Sequence, residues 1–179
     1  FETRTVEHGQ TRSHTNNELL TRFAGTNGMK TGYVCASGLN IVATAERNGR
    51  HLMAVTLGAN SARERGELTA RLLYSGFAGG YRGTGQGLVS LTNRKGLVPV
   101  DMRSMICGSG AAQYNEARMD EFPAGLEGQV SYLTDTIVPP VHRMTVLGKL
   151  RDVPLPRPRP GDFLFQPQVP GATTPRLMT

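Results

Sequence analysis

Tryptophan is absent from the 179 residues, hydrophobic residues stop at 38 %, and Gly (22) and Pro (11) are plentiful. This composition sits at the poor end of the globular range, which excludes two full cores and predicts that part of the chain stays unpacked. Cysteine is scarce. Cys35 and Cys107 are too few for a disulfide scaffold, lack metal-ligand spacing, and fix no compartment. His8, His14, His51 and His142 show no paired metal spacing, so neither a metal site nor a cofactor is expected. No apolar run approaches the length of a membrane span. Acidic residues are also few, 14 against 20 Lys and Arg, giving a net charge of +6. Such an excess suits an anionic partner. The basic residues, however, are scattered (Arg4, Arg12, Arg22, Arg47, Arg50, Arg63, Arg65, Arg71) and accompany no zinc-finger, RNP or basic-helix motif, so no nucleic-acid partner is expected.

The sequence opens on Phe1 in what reads as mid-domain sequence, with no signal peptide before it, and the expectation is a chain cut from a longer one. Residues 1–28 are polar and turn-rich apart from Leu19, Leu20 and Phe23. These follow Asn16, Asn17 and Glu18, a short helix with an Asn cap. Three strands are then predicted: 29–36, 39–46 after a Ser37-Gly38 break, and 51–57 after Asn48-Gly49, a strong hairpin signal. In the third, Met53, Val55 and Leu57 alternate with Leu52, Ala54 and Thr56, a pattern that predicts cover on both faces. Ser61 and Glu64 form a capping box that opens a helix with an apolar stripe of Leu68, Leu72, Leu73 and Phe77, closed by Gly76, Gly79 and Gly80.

Beyond residue 80 the character changes. Apolar clusters at 98–106, 130–133 and 141–147 stand between polar spacers, and residues 154–160 read PLPRPRP, a polyproline II segment. Residues 81–179 are therefore expected to form a largely extended or disordered tail with a few short strands.

The chemically informative triplet is Lys30-Thr31-Gly32, at the start of a strand after a Gly turn. A Lys ammonium supplies positive potential, a Thr hydroxyl can donate to a carboxylate, and Gly lets an extended ligand approach a strand edge. Together these suit a small peptide with an anionic end. The bland alternative is a surface Lys and Thr at an ordinary strand start.

Over residues 10 to 80, and most specifically from Asn27 to Phe77, the chain resembles the low-molecular-mass D-alanyl-D-alanine carboxypeptidases, the S11 serine peptidases. The shared pattern runs from a Gly-hydrophobic-Lys-Thr-Gly strand through an Ala/Ser-Gly-x-Asn turn, a Val-Ala strand, a basic hairpin and a strand ending Leu-Gly to a helix ending Leu-Leu-x-x-Gly-Phe. The resemblance implies an α/β fold, more narrowly α+β: part of a β-lactamase/transpeptidase-like domain in residues 1–80, with an antiparallel sheet, a flanking helix and one sheet face left uncovered. It further implies that Lys30 acts in the electrostatics of a cleft, that Thr31 holds the substrate carboxylate beside Gly32, and that Tyr33 gives a main-chain N–H to an oxyanion hole. Arg65 would help bind the carboxylate; its bland reading is a solvated helix Arg paired with Glu64 or with a residue one turn on.

The family acylates on the Ser of a Ser-x-x-Lys motif, and no such motif occurs here. Cys35 is read as strand packing rather than as a nucleophile, because nothing in the sequence supplies it with a base. The resemblance thus implies a peptidoglycan pentapeptide as substrate, β-lactams as inhibitors, a periplasmic or cell-envelope location, and a chain that by itself hydrolyses nothing. A non-catalytic wall-binding or interaction protein, binding through its basic surface and PLPRPRP, is the reading from another class.

Overall fold

The computed structural model describes residues 2–81, 83–92, 96–138 and 141–145. The PLPRPRP segment and the end of the 141–147 cluster lie outside them. Among the described residues the fold is α+β. Its centre is an antiparallel sheet of β3 (Thr26–Val34), β4 (Gly38–Arg47) and β5 (Arg50–Ala59), in that order, with helix α2 (Ala62–Phe77) packed on one face. The β4–β5 connection is the expected Asn48-Gly49 turn, both residues having positive φ, as a two-residue hairpin requires. The core lies between sheet and helix. Ile41, Ala43 and Ala45 of β4 and Ala54 of β5 meet Ala70 and Leu73 of α2, with Leu19, Phe23 and Leu133 closing the ends.

The reading that the third strand is covered on both faces is corrected here. Ala54 and Thr56 are buried beneath α2, whereas Met53, Val55 and Leu57 on the opposite face are 62, 51 and 73 % exposed. Strand alternation sends these residues to the face that α2 does not touch.

Helix α2 begins as its sequence dictates. Ser61 Oγ accepts from the Glu64 amide at 3.1 Å, and Glu64 Oε2 reaches back one residue beyond the usual partner, to the Asn60 amide at 3.0 Å. Its outer face differs from expectation. Glu64 and Glu67 are buried, and the chain after residue 98 is what buries them. Helix α3 (Arg103–Ile106) is followed by α4 (Ala111–Glu121), from which Arg118 pairs with Glu64 through Nε and Nη2. Next, Ser131 Oγ and the Tyr132 amide donate to Glu67 at 2.5 and 2.7 Å, and Leu133 enters the core. Arg63 donates to the carbonyls of Phe122 and Ala124. Farther on, the amides of Asp135 and Ile137 donate to Arg22 and Thr21 of α1 (Leu19–Arg22). Residues 98–138 thus run as a strap across α2, held mainly by charge-assisted hydrogen bonds.

The strap begins at a disulfide between Cys35 and Cys107. This corrects the reading of Cys35 as strand packing: the turn after β3 and the end of α3 bring the Cα atoms of Cys35 and Cys107 to 5.6 Å.

The hairpin of a second small sheet escaped the sequence reading, whereas its third strand falls in the 141–147 cluster. β1 (Thr5–His8) and β2 (Thr11–His14) form an antiparallel hairpin, and β6 (Val141–Met144) pairs parallel to β1. TVEH and TRSH carry almost no apolar alternation, so period-2 patterning had nothing to act on.

Candidate functional site

Lys30, Thr31 and Gly32 sit in the middle of β3, opposite Val42, Ile41 and Asn40 of β4. Among the described residues β3 is the end strand of its sheet, and its other backbone edge pairs with no strand. Asn17 fixes what lies beside that edge: its Nδ2 donates to the Gly28 carbonyl at 3.3 Å, and its Oδ1 accepts from the Leu19 amide at 3.2 Å. The expected Asn cap is therefore present as this bond, although Glu18 occupies the cap position of α1. One buried amide ties the start of α1 to the start of β3.

A cavity of about 540 Å³ opens along the free edge. Lys30, Thr31, Gly32 and Tyr33 form one wall, Ala62 and Arg65 from the first turn of α2 another, and Thr15, Asn16 and Glu18 a third. All five residues singled out from sequence (Lys30, Thr31, Gly32, Tyr33, Arg65) thus meet around one space. Thr15, Asn16 and Glu18 were not singled out, since each is an ordinary polar residue in a turn-rich stretch.

Lys30 is exposed, with Nζ donating to the Thr31 carbonyl at 2.5 Å. The Tyr33 ring turns toward the disulfide, its hydroxyl 2.9 Å from Cys107 Sγ, so Tyr33 meets the cavity and the start of the strap at once. Arg65 is 5 % exposed and donates from Nη2 to the Asn16 carbonyl at 2.8 Å, while its buried Nε has no partner. Arg65 does not take Glu64, whose carboxylate belongs to Arg118. Burial lowers the pKa of Arg65, an effect partly offset by the negative potential of Glu18. Burial likewise raises the pKa of Glu18; Arg65 and Arg22 oppose that shift, and Glu67 adds to it. Glu18 Oε1 is buried without a hydrogen-bond partner, and it lies where a Cβ on Gly66 would fall.

Two cations and a Thr hydroxyl beside a strand edge are groups that could hold an extended chain with an anionic end. Among the described residues, those lining the cavity include no Ser, Cys or His. Among the described residues no group of three or more His, Cys, Asp or Glu could hold a metal ion.

No family model matches the chain. It is 36 % identical over 66 residues to D-alanyl-D-alanine carboxypeptidase DacD of Escherichia coli, a match covering 37 % of this chain and 17 % of that protein. To the protein of the same name from Salmonella typhimurium it is 35 % identical over 69 residues, covering 38 % and 18 %. Among solved structures, penicillin-binding protein D2 of Listeria monocytogenes in its cefotaxime-bound form aligns at 31 % identity and a TM-score of 0.40, over 42 % of this chain and 31 % of that one. Penicillin-binding protein 6B of Escherichia coli aligns with the same identity and score, over 42 % and 24 %. Over the matched segment the chain is similar to D-alanyl-D-alanine carboxypeptidases, and the match spans less than a fifth of the length of these curated relatives.

Proposed function

We propose that this chain supplies the carboxylate-binding wall of a serine-type D-alanyl-D-alanine carboxypeptidase, an enzyme that trims the terminal D-alanine of peptidoglycan pentapeptides through an acyl-enzyme. The observation that carries the reading is the convergence of Lys30, Thr31, Gly32, Tyr33 and Arg65 on one cavity at the free edge of β3. In this reading a peptide lies along β3 as an added strand, and its terminal carboxylate meets the Thr31 hydroxyl under the positive potential of Lys30 and Arg65. The main-chain N–H of Tyr33 stabilises the oxyanion that develops on the scissile carbonyl. β-Lactams, whose carboxylate would meet the same groups, act as inhibitors. Since no Ser-x-x-Lys occurs among the 179 residues, the acylating Ser is not one of them, and the chain alone binds without turnover. A periplasmic or cell-envelope location accords with the Cys35–Cys107 disulfide, a bond that persists in oxidising compartments.

Gly32 separates this reading from a bland surface strand. A Cβ built there meets only the Asn40 Cβ, at 4.0 Å, so the fold itself leaves room for a side chain. Gly32→Ala should therefore change stability by no more than about 0.5 kcal/mol. It should nevertheless weaken binding of acetyl-D-alanyl-D-alanine by about tenfold or more, because the methyl obstructs the approach of an added strand. Titration calorimetry beside a melting curve checks both; an affinity unchanged in the variant would contradict the reading.

A further inference from the structure

Among the described residues Glu18 is the one acidic residue lining the cavity, and carboxylate binding by itself gives it no task. It has no salt-bridge contact with Arg65, although the two share the cavity wall and each dominates the charged surroundings of the other. Each also keeps a buried polar atom unpartnered, Oε1 on Glu18 and Nε on Arg65. Gly66, next to Arg65 on α2, makes the room that Oε1 occupies. A buried carboxylate and a buried guanidinium left unsatisfied side by side are costly unless something else completes them.

We propose that Glu18 is a specificity-determining residue that competes with the ligand carboxylate for Arg65, so that the cavity takes an anionic peptide end more tightly when Glu18 is neutral. This rests on the carboxylate-binding reading above. The charged groups facing Glu18 are Arg65 and Glu67 from α2 and Arg22 from α1, with Lys30 across the cavity. Of the two cations that act on Glu18, Arg65 lines the cavity and Arg22 does not, which leaves Arg65 as the cation shared between Glu18 and a ligand. Ionised Glu18 partly neutralises the potential an incoming carboxylate would feel; protonated Glu18 leaves that potential intact. Because burial moves the titration of Glu18 upward, the change falls at a higher pH than for a solvated Glu. It is thereby separated from protonation of the peptide's own carboxyl at about 3.5.

Coupling of this kind is reciprocal. If loss of the Glu18 charge tightens binding by about tenfold, a saturating carboxylate ligand raises the Glu18 pKa by about one unit.

The test is calorimetric titration of the full chain and of Glu18→Gln with acetyl-D-alanyl-D-alanine and with its carboxy-terminal amide, from about pH 4.5 to 8, with carbon NMR of the Glu18 carboxyl in parallel. The expected result is acid-selective binding by the wild-type chain that strengthens about tenfold as Glu18 takes its proton. Glu18→Gln should bind at neutral pH as tightly as the wild type does in acid, with no slope, and the Glu18 titration should move up with the acid peptide but not with the amide. If both proteins prefer the acid but share one pH slope, or if Glu18→Gln only weakens binding, the role of Glu18 is overturned while the carboxylate site stands. If neither protein distinguishes acid from amide at any pH, the carboxylate site itself fails and takes the role of Glu18 with it.

Discussion

Reducing the Cys35–Cys107 disulfide should cost about 4 kcal/mol of stability, the largest single loss expected in the molecule. The bond closes a span of 72 residues, and in the loop-entropy account the unfolded chain regains nearly all the freedom that so long a loop denies it. The native contacts near the bond do not replace it. Where the strap begins, the Met102 amide donates to the Ala36 carbonyl and the Tyr33 hydroxyl touches Cys107, contacts at the molecular surface. Urea unfolding of Cys35→Ser/Cys107→Ser beside the oxidised parent checks this; coincident midpoints would show that the strap holds without its covalent start. Because Tyr33 also borders the cavity, the double variant should bind a carboxylate peptide more weakly as well.

Glu64→Ala should cost about 3 kcal/mol. Glu64 is 1 % exposed and serves three partners: the Asn60 amide before α2, and the Nε and Nη2 of Arg118 on α4. Removing it deprives the start of α2 of one cap and costs Arg118 its partner on α2, leaving it Glu121 of its own helix. The loss should appear as a lower urea midpoint, with α4 opening first in amide exchange. A loss below about 1 kcal/mol would place the pair in the class of ordinary surface ion pairs and remove the argument that α4 is anchored through it.

These two contacts also mark where the sequence was illegible. Strands β3 to β5 and helix α2 could be read because each signal is local: Asn48-Gly49 sets a hairpin, Ser61 and Glu64 set a cap, and Leu72 and Leu73 follow a helical period. Lys30, Thr31, Gly32, Tyr33 and Arg65 could be brought to one site only through resemblance to a family, since nothing in their spacing places Arg65 opposite β3. The strap was illegible for a physical reason. It packs through Arg63, Glu64, Glu67 and Arg118, charged residues that a hydropathy pattern assigns to solvent, and α4 buries none of its own side chains. Helix formers such as Ala111, Ala112, Gln113 and Met119 were the available signal in α4, unsupported by an apolar stripe. Cys35 and Cys107, 72 residues apart with no framework of further cysteines, gave no pairing signal.

Glu18 belongs to the same group. A carboxylate before an apolar pair reads as the approach to a short helix, and only the fold shows that Gly66 and Arg65 lie against it. Its value to the site depends on burial, which sequence does not display.

The central claim, that the free edge of β3 receives the carboxylate end of a peptide, is tested most directly by amide chemical-shift mapping of the full chain with acetyl-D-alanyl-D-alanine and with its amide. The account predicts shifts with the acid at residues 30 to 33 and at Arg65, much reduced with the amide. Equal shifts with both peptides, or shifts confined to the exposed Met53, Val55 and Leu57 face, would contradict it.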